Sequence, residues 1–149
     1  IQHAAVRAFS GGADIERYLS TARAILGQLV GFAVRTLRAA GLSVCHPDGA
    51  FYVFPTFAPL AGALAERGIT DDRALARALL DRAHVSCLPG SEFGMPASAL
   101  YVRLALVDFD GAKAMAAAAH EPVDDAFLEA RLAPVVAALR AVASFVDPR

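Results

Sequence analysis

Apolar residues recur along the chain with two different periods, and these periods predict its elements. From residue 14 to about residue 40 they follow at three- and four-residue steps, which is typical of one long amphipathic helix. Asp14 is its predicted N-cap and Gly41 its predicted end. Gly27 and Gly31 lie inside this helix and predict a close backbone approach or a bend, of which close packing against the sheet or a partner element is favoured. Shorter helices are predicted at residues 60–67, 71–83, 112–120 and 125–146.

Some helix boundaries follow from individual residues. Thr70 is the predicted N-cap of the 71–83 helix, and Asp110 can cap the 112–120 helix. Pro134 lies inside the last helical pattern, where a proline removes a backbone donor and clashes with the preceding turn. That helix should therefore bend or divide near Ala133.

The remaining apolar runs are short and rich in β-forming residues, so they predict strands. Residues 42–46 and 50–54 flank the turn Pro47-Asp48-Gly49 and read as a hairpin. Residues 85–88 and 100–107 flank a loop that contains two prolines and two glycines.

Arg103 is the only charged residue within the apolar run 100–107. Alternation along a strand places it on the side of Tyr101, Ala105 and Val107. The opposite side is formed by Val102, Leu104 and Leu106. Because an unpaired buried guanidinium is strongly unfavourable, Arg103 is expected to meet an anion, and its planar fork of donors suits a carboxylate.

Three motifs in a fixed order resemble a known family. They are GAFYVFPTF at residues 49–57, LPGSEFG at residues 88–94 and YVRLAL at residues 101–106. Together they resemble the C-terminal part of class I/II pyridoxal-phosphate (PLP) aminotransferases of fold type I. The segment QHAAVRAF at residues 2–9 resembles the helix that ends the large domain of those enzymes. The resemblance extends to about residue 110.

The resemblance implies an α+β fold with a small, mostly antiparallel sheet and helices packed mainly on one face. It implies that residues 1–12 end a large-domain helix, residues 13–41 form the interdomain helix and residues 42–149 form the small C-terminal domain. The chain begins with Ile1 rather than Met, so we expect it to be a piece of a longer polypeptide whose N-terminal large domain is its partner.

The resemblance also implies roles for individual residues. Arg103 matches the arginine that binds the substrate α-carboxylate, and Gly49, Tyr52, Phe93 and Gly94 match positions around the substrate pocket. The residues themselves leave other interpretations open. Core packing is favoured for Tyr52, a simple turn explains Gly94 as well as Gly90 in the same loop, and for Phe93 neither interpretation is favoured.

An aminotransferase needs a lysine that bonds to the PLP aldehyde. Lys113 is the only lysine, and it lies outside any segment that resembles the lysine motif of the family, so we interpret it as a surface residue. The cofactor-binding residues are accordingly expected in the absent large domain, and this chain alone is expected to be inactive. Complete enzymes of this kind act on amino acids and 2-oxo acids as homodimers.

Composition excludes several other classes. With 56% hydrophobic residues and a net charge of −1, the chain lacks the clustered basic residues of a nucleic-acid surface. The four histidines are scattered without ligand spacing, so no metal site is predicted. Cys45 and Cys87 are predicted to be buried free thiols, which suits a reducing cytoplasm. No signal peptide is recognised, and the longest mostly apolar stretch, residues 26–34, is far short of a membrane span.

Two alternatives to an aminotransferase remain open. Chains of the same fold serve as lyases, synthases or effector domains of transcription regulators. The chain could also be an unrelated α+β ligand-binding domain in which Arg103 pairs with a structural acid such as Asp108 or Glu92. An Arg103 without an acidic partner, on an open groove, would argue against this last alternative.

Overall fold

The computed structural model describes residues 1–146 of the 149-residue chain. A three-stranded antiparallel sheet, in the order β1-β3-β2, packs against helices. The elements are α1 (Gln2–Phe9), α2 (Ala13–Ala39), β1 (Tyr52–Val53), α3 (Ala61–Glu66), α4 (Asp72–Ala83), β2 (Leu88–Pro89), β3 (Val102–Ala105), α5 (Gly111–Ala117), α6 (Asp125–Arg131) and α7 (Ala133–Val146). The predicted α+β class with a small antiparallel sheet is confirmed.

The junction between α1 and α2 differs from the prediction. Helix α2 begins at Ala13, and its cap residue is Gly12, so the predicted N-cap role of Asp14 is wrong. The Asp14 carboxylate instead accepts hydrogen bonds from Arg7 Nη2 at 2.9 and 2.7 Å. This contact lowers the pKa of Asp14. A charged donor binds a carboxylate more strongly than a neutral backbone N–H does. The Asp14 carboxylate therefore binds Arg7 rather than the free N–H groups at the start of α2.

Helix α2 is buried mainly in its C-terminal half, where Leu29, Ala33 and Leu37 are fully inaccessible to solvent. No heavy atom lies within 4 Å of a Cβ built on Gly27, and one built on Gly31 would meet only a guanidinium nitrogen. The predicted close backbone approach is therefore absent among residues 1–146. Neither α2 nor any other helix in this range has the length and apolar character needed to cross a membrane.

The hairpin predicted for residues 42–54 is wrong. Its first arm forms no strand, and Ser43 makes only an isolated bridge to Thr56. Arg38 donates two hydrogen bonds to the carbonyl of Val44, at 3.1 and 2.7 Å, and so occupies an acceptor that a hairpin ladder would need. The second arm pairs instead with β3.

At the other helix ends, two predictions are confirmed and one is wrong. Asp110 caps α5 as predicted, because its side chain accepts from the N–H of Lys113 at 3.0 Å. Helix α4 is capped by Asp71 rather than Thr70, through a 2.8 Å bond from the N–H of Ala74. The last helical pattern divides between α6 and α7 at Leu132, as its internal proline predicts.

The two faces of the sheet are unequal. Val102, Leu104 and Leu106 are at most 4% exposed and belong to the single core that α2, α4 and α7 also line. The alternate residues Arg103 and Ala105 lie on the other face, partly or fully exposed. The predicted alternation of β3 is confirmed, so the helices cover one face and leave the side of Arg103 open.

Candidate functional site

Arg103 lies on the central strand, at the middle of the open face of the sheet. Its backbone is opposite Leu88 of β2, and its neighbour Leu104 is opposite Val53 of β1. Strands β1 and β2 therefore flank Arg103 on its two sides. Arg103 itself is half-buried.

Two aromatic rings hold the Arg103 guanidinium. Its Cζ atom lies 4.4 Å from the centre of the Tyr52 ring and 4.3 Å from the centre of the Phe93 ring. Such contacts stabilise a cation by about 0.5–1 kcal/mol each at exposed sites. An aromatic face holds the charge without accepting in-plane N–H groups, so the donors of Arg103 are left for another partner.

Arg103 has no acidic partner among residues 1–146. Glu92, one candidate partner, pairs with Arg73 at 2.8 Å. Asp108, the other, forms no ion pair in the described part of the chain, and Arg103 forms none there either. The geometry thus argues against a merely structural ion pair for Arg103.

Tyr52 and Phe93 both reach the site from exposed positions. Tyr52 is 36% exposed and Phe93 is 43% exposed, so the prediction that Tyr52 packs in the core is wrong. The buried residue of β1 is the next one, Val53, which is 1% exposed. Because strand faces alternate, burying Val53 turns Tyr52 towards Arg103.

The two predicted pocket glycines lie in different places. Gly94 follows Phe93 directly, with φ 82°, and its N–H donates to Ser91 at 3.2 Å, so it ends the turn that carries Phe93. Gly49 instead lines a cavity of about 250 Å³ beside α2, together with Arg23 and His46. No heavy atom lies within 4 Å of a Cβ built on Gly49. The structure brings Gly94, but not Gly49, to the aromatic contacts of Arg103.

Sequence reasoning missed two aromatic residues that support Phe93. The Phe54 ring makes an edge-to-face contact with Phe93, with the ring centres 6.0 Å apart. Phe54 also stacks on Tyr101 at 5.1 Å. Both residues belong to the motifs quoted for the resemblance, so their position in those motifs was the available signal.

The close approach of β2 to β3 was also missed. Gly90 is buried, and its N–H donates to the carbonyl of Tyr101 at 2.7 Å. A Cβ built on Gly90 would lie 2.4 Å from the Tyr101 Cβ, a distance that real atoms do not tolerate. Gly90 is therefore needed for contact between strands, whereas the sequence suggested only a turn.

Asp72 is a further residue whose structural role sequence reasoning missed. It is 0% exposed at the start of α4, and its carboxylate accepts from the N–H and the hydroxyl of Ser91, at 2.5 and 3.1 Å. The sequence signal was the pair of acids at the helix start, of which only Asp71 is needed as a cap.

The described residues contain neither a metal site nor an activated thiol. Within residues 1–146, no group of three or more His, Cys, Asp or Glu side chains could hold a metal ion. Cys45 and Cys87 are free thiols, as predicted. The prediction that Cys45 is buried is wrong, since it is exposed, while Cys87 is half-buried. Burial raises the pKa of the Cys87 thiol to about 11, so it is a poor nucleophile at neutral pH.

Comparison with known families identifies the chain. The family model described as aminotransferase class I and II matches residues 1–117. The chain belongs to this family.

Individual aminotransferases show how much of the family fold is present. The chain is 36% identical over 97 residues to the aspartate/prephenate aminotransferase of Cereibacter sphaeroides, an alignment that covers 63% of this chain and 24% of that protein. It is 31% identical over 97 residues to the aspartate aminotransferase of a Bacillus species, covering 65% of this chain and 24% of that protein. The chain thus matches about a quarter of the length of these relatives.

A solved aminotransferase structure has the same fold. The aromatic aminotransferase of Pyrococcus horikoshii superposes with a TM-score of 0.64 at 21% sequence identity, covering 96% of this chain and 30% of that one. Nearly all of the chain therefore has a structural counterpart in part of that protein.

Membership of this aminotransferase family implies the use of PLP as cofactor. Lys113 is not suited to be the lysine that bonds to PLP. Its side chain is 85% exposed in the first turn of α5, where Nζ pairs with Asp110 at 3.1 Å. A lysine that bonds to an aldehyde must lie in a pocket that lowers its pKa and excludes water. The described residues therefore offer no such anchor for the cofactor.

Proposed function

We propose that this chain is the C-terminal, substrate-closing part of a PLP-dependent amino-acid aminotransferase, in which Arg103 binds the α-carboxylate of amino and 2-oxo acids. Residues 1–12 would then end a large-domain helix, residues 13–41 link the domains and residues 42–149 form the small domain. One observation carries the proposal. Within residues 1–146, Arg103 has no acidic partner and is held between two aromatic rings on the open face of the sheet.

Arg103 would act as a fixed carboxylate receptor. The rings of Tyr52 and Phe93 limit the rotamers of its long side chain, so less conformational entropy is lost when a substrate binds. They also keep water away from part of the guanidinium, which strengthens its attraction to an anion. Two parallel N–H groups can then bind both oxygens of the carboxylate and set the orientation of the substrate.

PLP, when bound, supplies the electron sink that the amino-group transfer needs. We propose that it is bound by a large domain outside this chain and that the chain alone does not transaminate, since its one lysine is exposed and paired. We also propose that the full-length enzyme is a homodimer. We propose a cytoplasmic location as well, which accords with two free cysteines in the described residues.

The test is the substitution Arg103→Lys in the full-length polypeptide that carries these residues. Lysine keeps the charge but loses the two-pronged geometry, so KM for amino and 2-oxo acids should rise about tenfold or more while the PLP absorbance spectrum is unchanged. Arg77→Ala is the matched control, because Arg77 forms only an exposed pair with Asp81 on α4. An unchanged KM in Arg103→Lys would refute the carboxylate role.

A further inference from the structure

Asp72 is the most deeply buried charged side chain among residues 1–146, with 0% exposure. Removing a carboxylate from water is costly unless donors replace the water. Within the described residues Asp72 forms no ion pair, and its partners are the N–H and the hydroxyl of Ser91. Both hydrogen bonds of the Asp72 carboxylate are therefore made with one loop residue, Ser91.

Helix α4 does not need Asp72 as its cap. Asp71 already caps the helix by accepting from the N–H of Ala74. An acid in the first turn does interact favourably with the helix dipole, but this interaction does not require that the acid be buried. The burial of Asp72 is thus explained by the loop it binds.

That loop is the 3₁₀ turn Gly90–Phe93, which ends at the ring that contacts Arg103. Asp72 holds Ser91, and the neighbouring Arg73 holds Glu92 through an ion pair whose side chains are 72% and 51% exposed. Exposed pairs contribute little to stability. Asp72 is therefore the stronger of the two links between α4 and the turn.

Phe93 cannot fix its own position by burial, because its ring is 43% exposed. Its position depends on the turn and on the edge contact with Phe54. We propose that Asp72 is a positioning residue: by fixing Ser91 it places Phe93 against Arg103, and so keeps the guanidinium in the orientation that receives a carboxylate. This inference rests on the proposed function of Arg103.

The first test uses the NMR signal of the Arg103 Nε–H group in the 149-residue chain, because nearby rings shift it. Asp72→Asn should remove roughly half or more of the part of the shift that Phe93→Leu abolishes. Ser91→Ala keeps the backbone N–H bond to Asp72 and loses only the hydroxyl bond, so it should remove a smaller but measurable part. Asp71→Asn is the matched control, since asparagine caps a helix as well as aspartate does, and it should leave the shift in place. If Asp72→Asn does not fold, Ser91→Ala decides alone, because it deletes only a hydroxyl.

The second test is kinetic and uses the full-length polypeptide. Asp72→Asn should raise KM for amino and 2-oxo acids about three- to tenfold with kcat nearly unchanged, as expected for a loosened binding group. Folded Asp72→Asn and Ser91→Ala proteins with the wild-type ring shift and KM would overturn the role of Asp72. If KM responds to Arg103→Lys but not to Asp72→Asn, only this inference fails. If Arg103→Lys leaves KM unchanged, the proposed function fails and this inference with it.

Discussion

The guanidinium of Arg103 and the ring of Phe93 are 4.3 Å apart, although one lies on a strand and the other at the end of a 3₁₀ turn. The contact exists because β2 and β3 pair in a register that puts Leu88 opposite Arg103, which leaves the turn after β2 beside the same face. The geometry of one cation is thus set by the loop that follows the neighbouring strand.

The aromatic rings of Tyr52 and Phe93 should contribute to substrate binding through their contacts with Arg103. Phe93→Leu and Tyr52→Leu are each expected to raise KM for amino and 2-oxo acids about two- to fivefold in the full-length polypeptide, because each removes a cation–π contact. Tyr52→Phe keeps the ring, so its KM should stay below that of Tyr52→Leu. An equal rise of KM in Tyr52→Phe and Tyr52→Leu would show that the hydroxyl, which both variants lack, rather than the ring, is important.

Gly90 should not tolerate a side chain. Gly90→Ala is expected to destabilise the 149-residue chain by about 2 kcal/mol, because its Cβ would meet the Cβ of Tyr101 at 2.4 Å and the two strands would have to separate. The measurement is urea unfolding followed by circular dichroism. Gly27→Ala is the control: nothing lies within 4 Å of the new methyl group inside α2, so it should stabilise by about 0.5–1 kcal/mol.

Arg67 should stabilise the end of α7. Its Nη1 donates to the carbonyl of Phe145 at 2.8 Å, and its Cζ lies 4.3 Å from the centre of the Phe145 ring. Because the last carbonyls of a helix lack partners within it, Arg67→Ala should lower the free energy of unfolding by about 1 kcal/mol. Arg77→Ala, which breaks an exposed pair with Asp81, should change it by less than about 0.5 kcal/mol. Equal effects in thermal unfolding would argue against the cap.

The two thiols should differ in reactivity. With a pKa of about 11, Cys87 is ionised to only about one part in a thousand at pH 8, so a disulfide reagent should modify exposed Cys45 first. Cys45→Ser should abolish the rapid phase, and Cys87 should react at full rate only in denaturant. Rapid reaction of Cys87 in the folded Cys45→Ser chain would contradict its burial.

The same shift predicts a dependence of stability on pH. The ordinary thiol pKa of 9.0 applies to the unfolded chain, and folding raises it to about 11. Between these values the unfolded chain binds fewer protons than the folded one, so the free energy of unfolding falls as pH rises from about 9 to about 11. Cys87→Ala should make this part of the curve shallower when urea unfolding is measured at each pH. Curves of equal slope would show that Cys87 does not carry the dependence.

Local rules predicted the parts of this protein that depend on near neighbours in the chain. Asp110 caps α5, and Pro134 divides the last helical pattern, because both effects act within one helical turn. The strand period also predicted that Val102 and Leu104 are buried while Arg103 faces the other way. The motifs around Arg103 predicted the family, which the match over residues 1–117 confirms.

Several of the predictions that failed depended on contacts with other elements of the fold. The 42–54 hairpin does not form, because its second arm pairs with β3 instead. Asp14 does not cap α2, because its carboxylate binds Arg7 of α1. Exposed Tyr52 and buried Asp72 likewise depend on which residues the tertiary fold brings beside them.

The sequence by itself determined where most helices and the central strand run and which side of that strand carries Arg103, because backbone geometry fixes those periods over a few residues. Only the tertiary structure decided that two rings hold Arg103 and that buried Asp72 holds the turn of one of them. Those contacts join residues far apart in the chain, and their register is set by the packing of the whole core rather than by any local pattern.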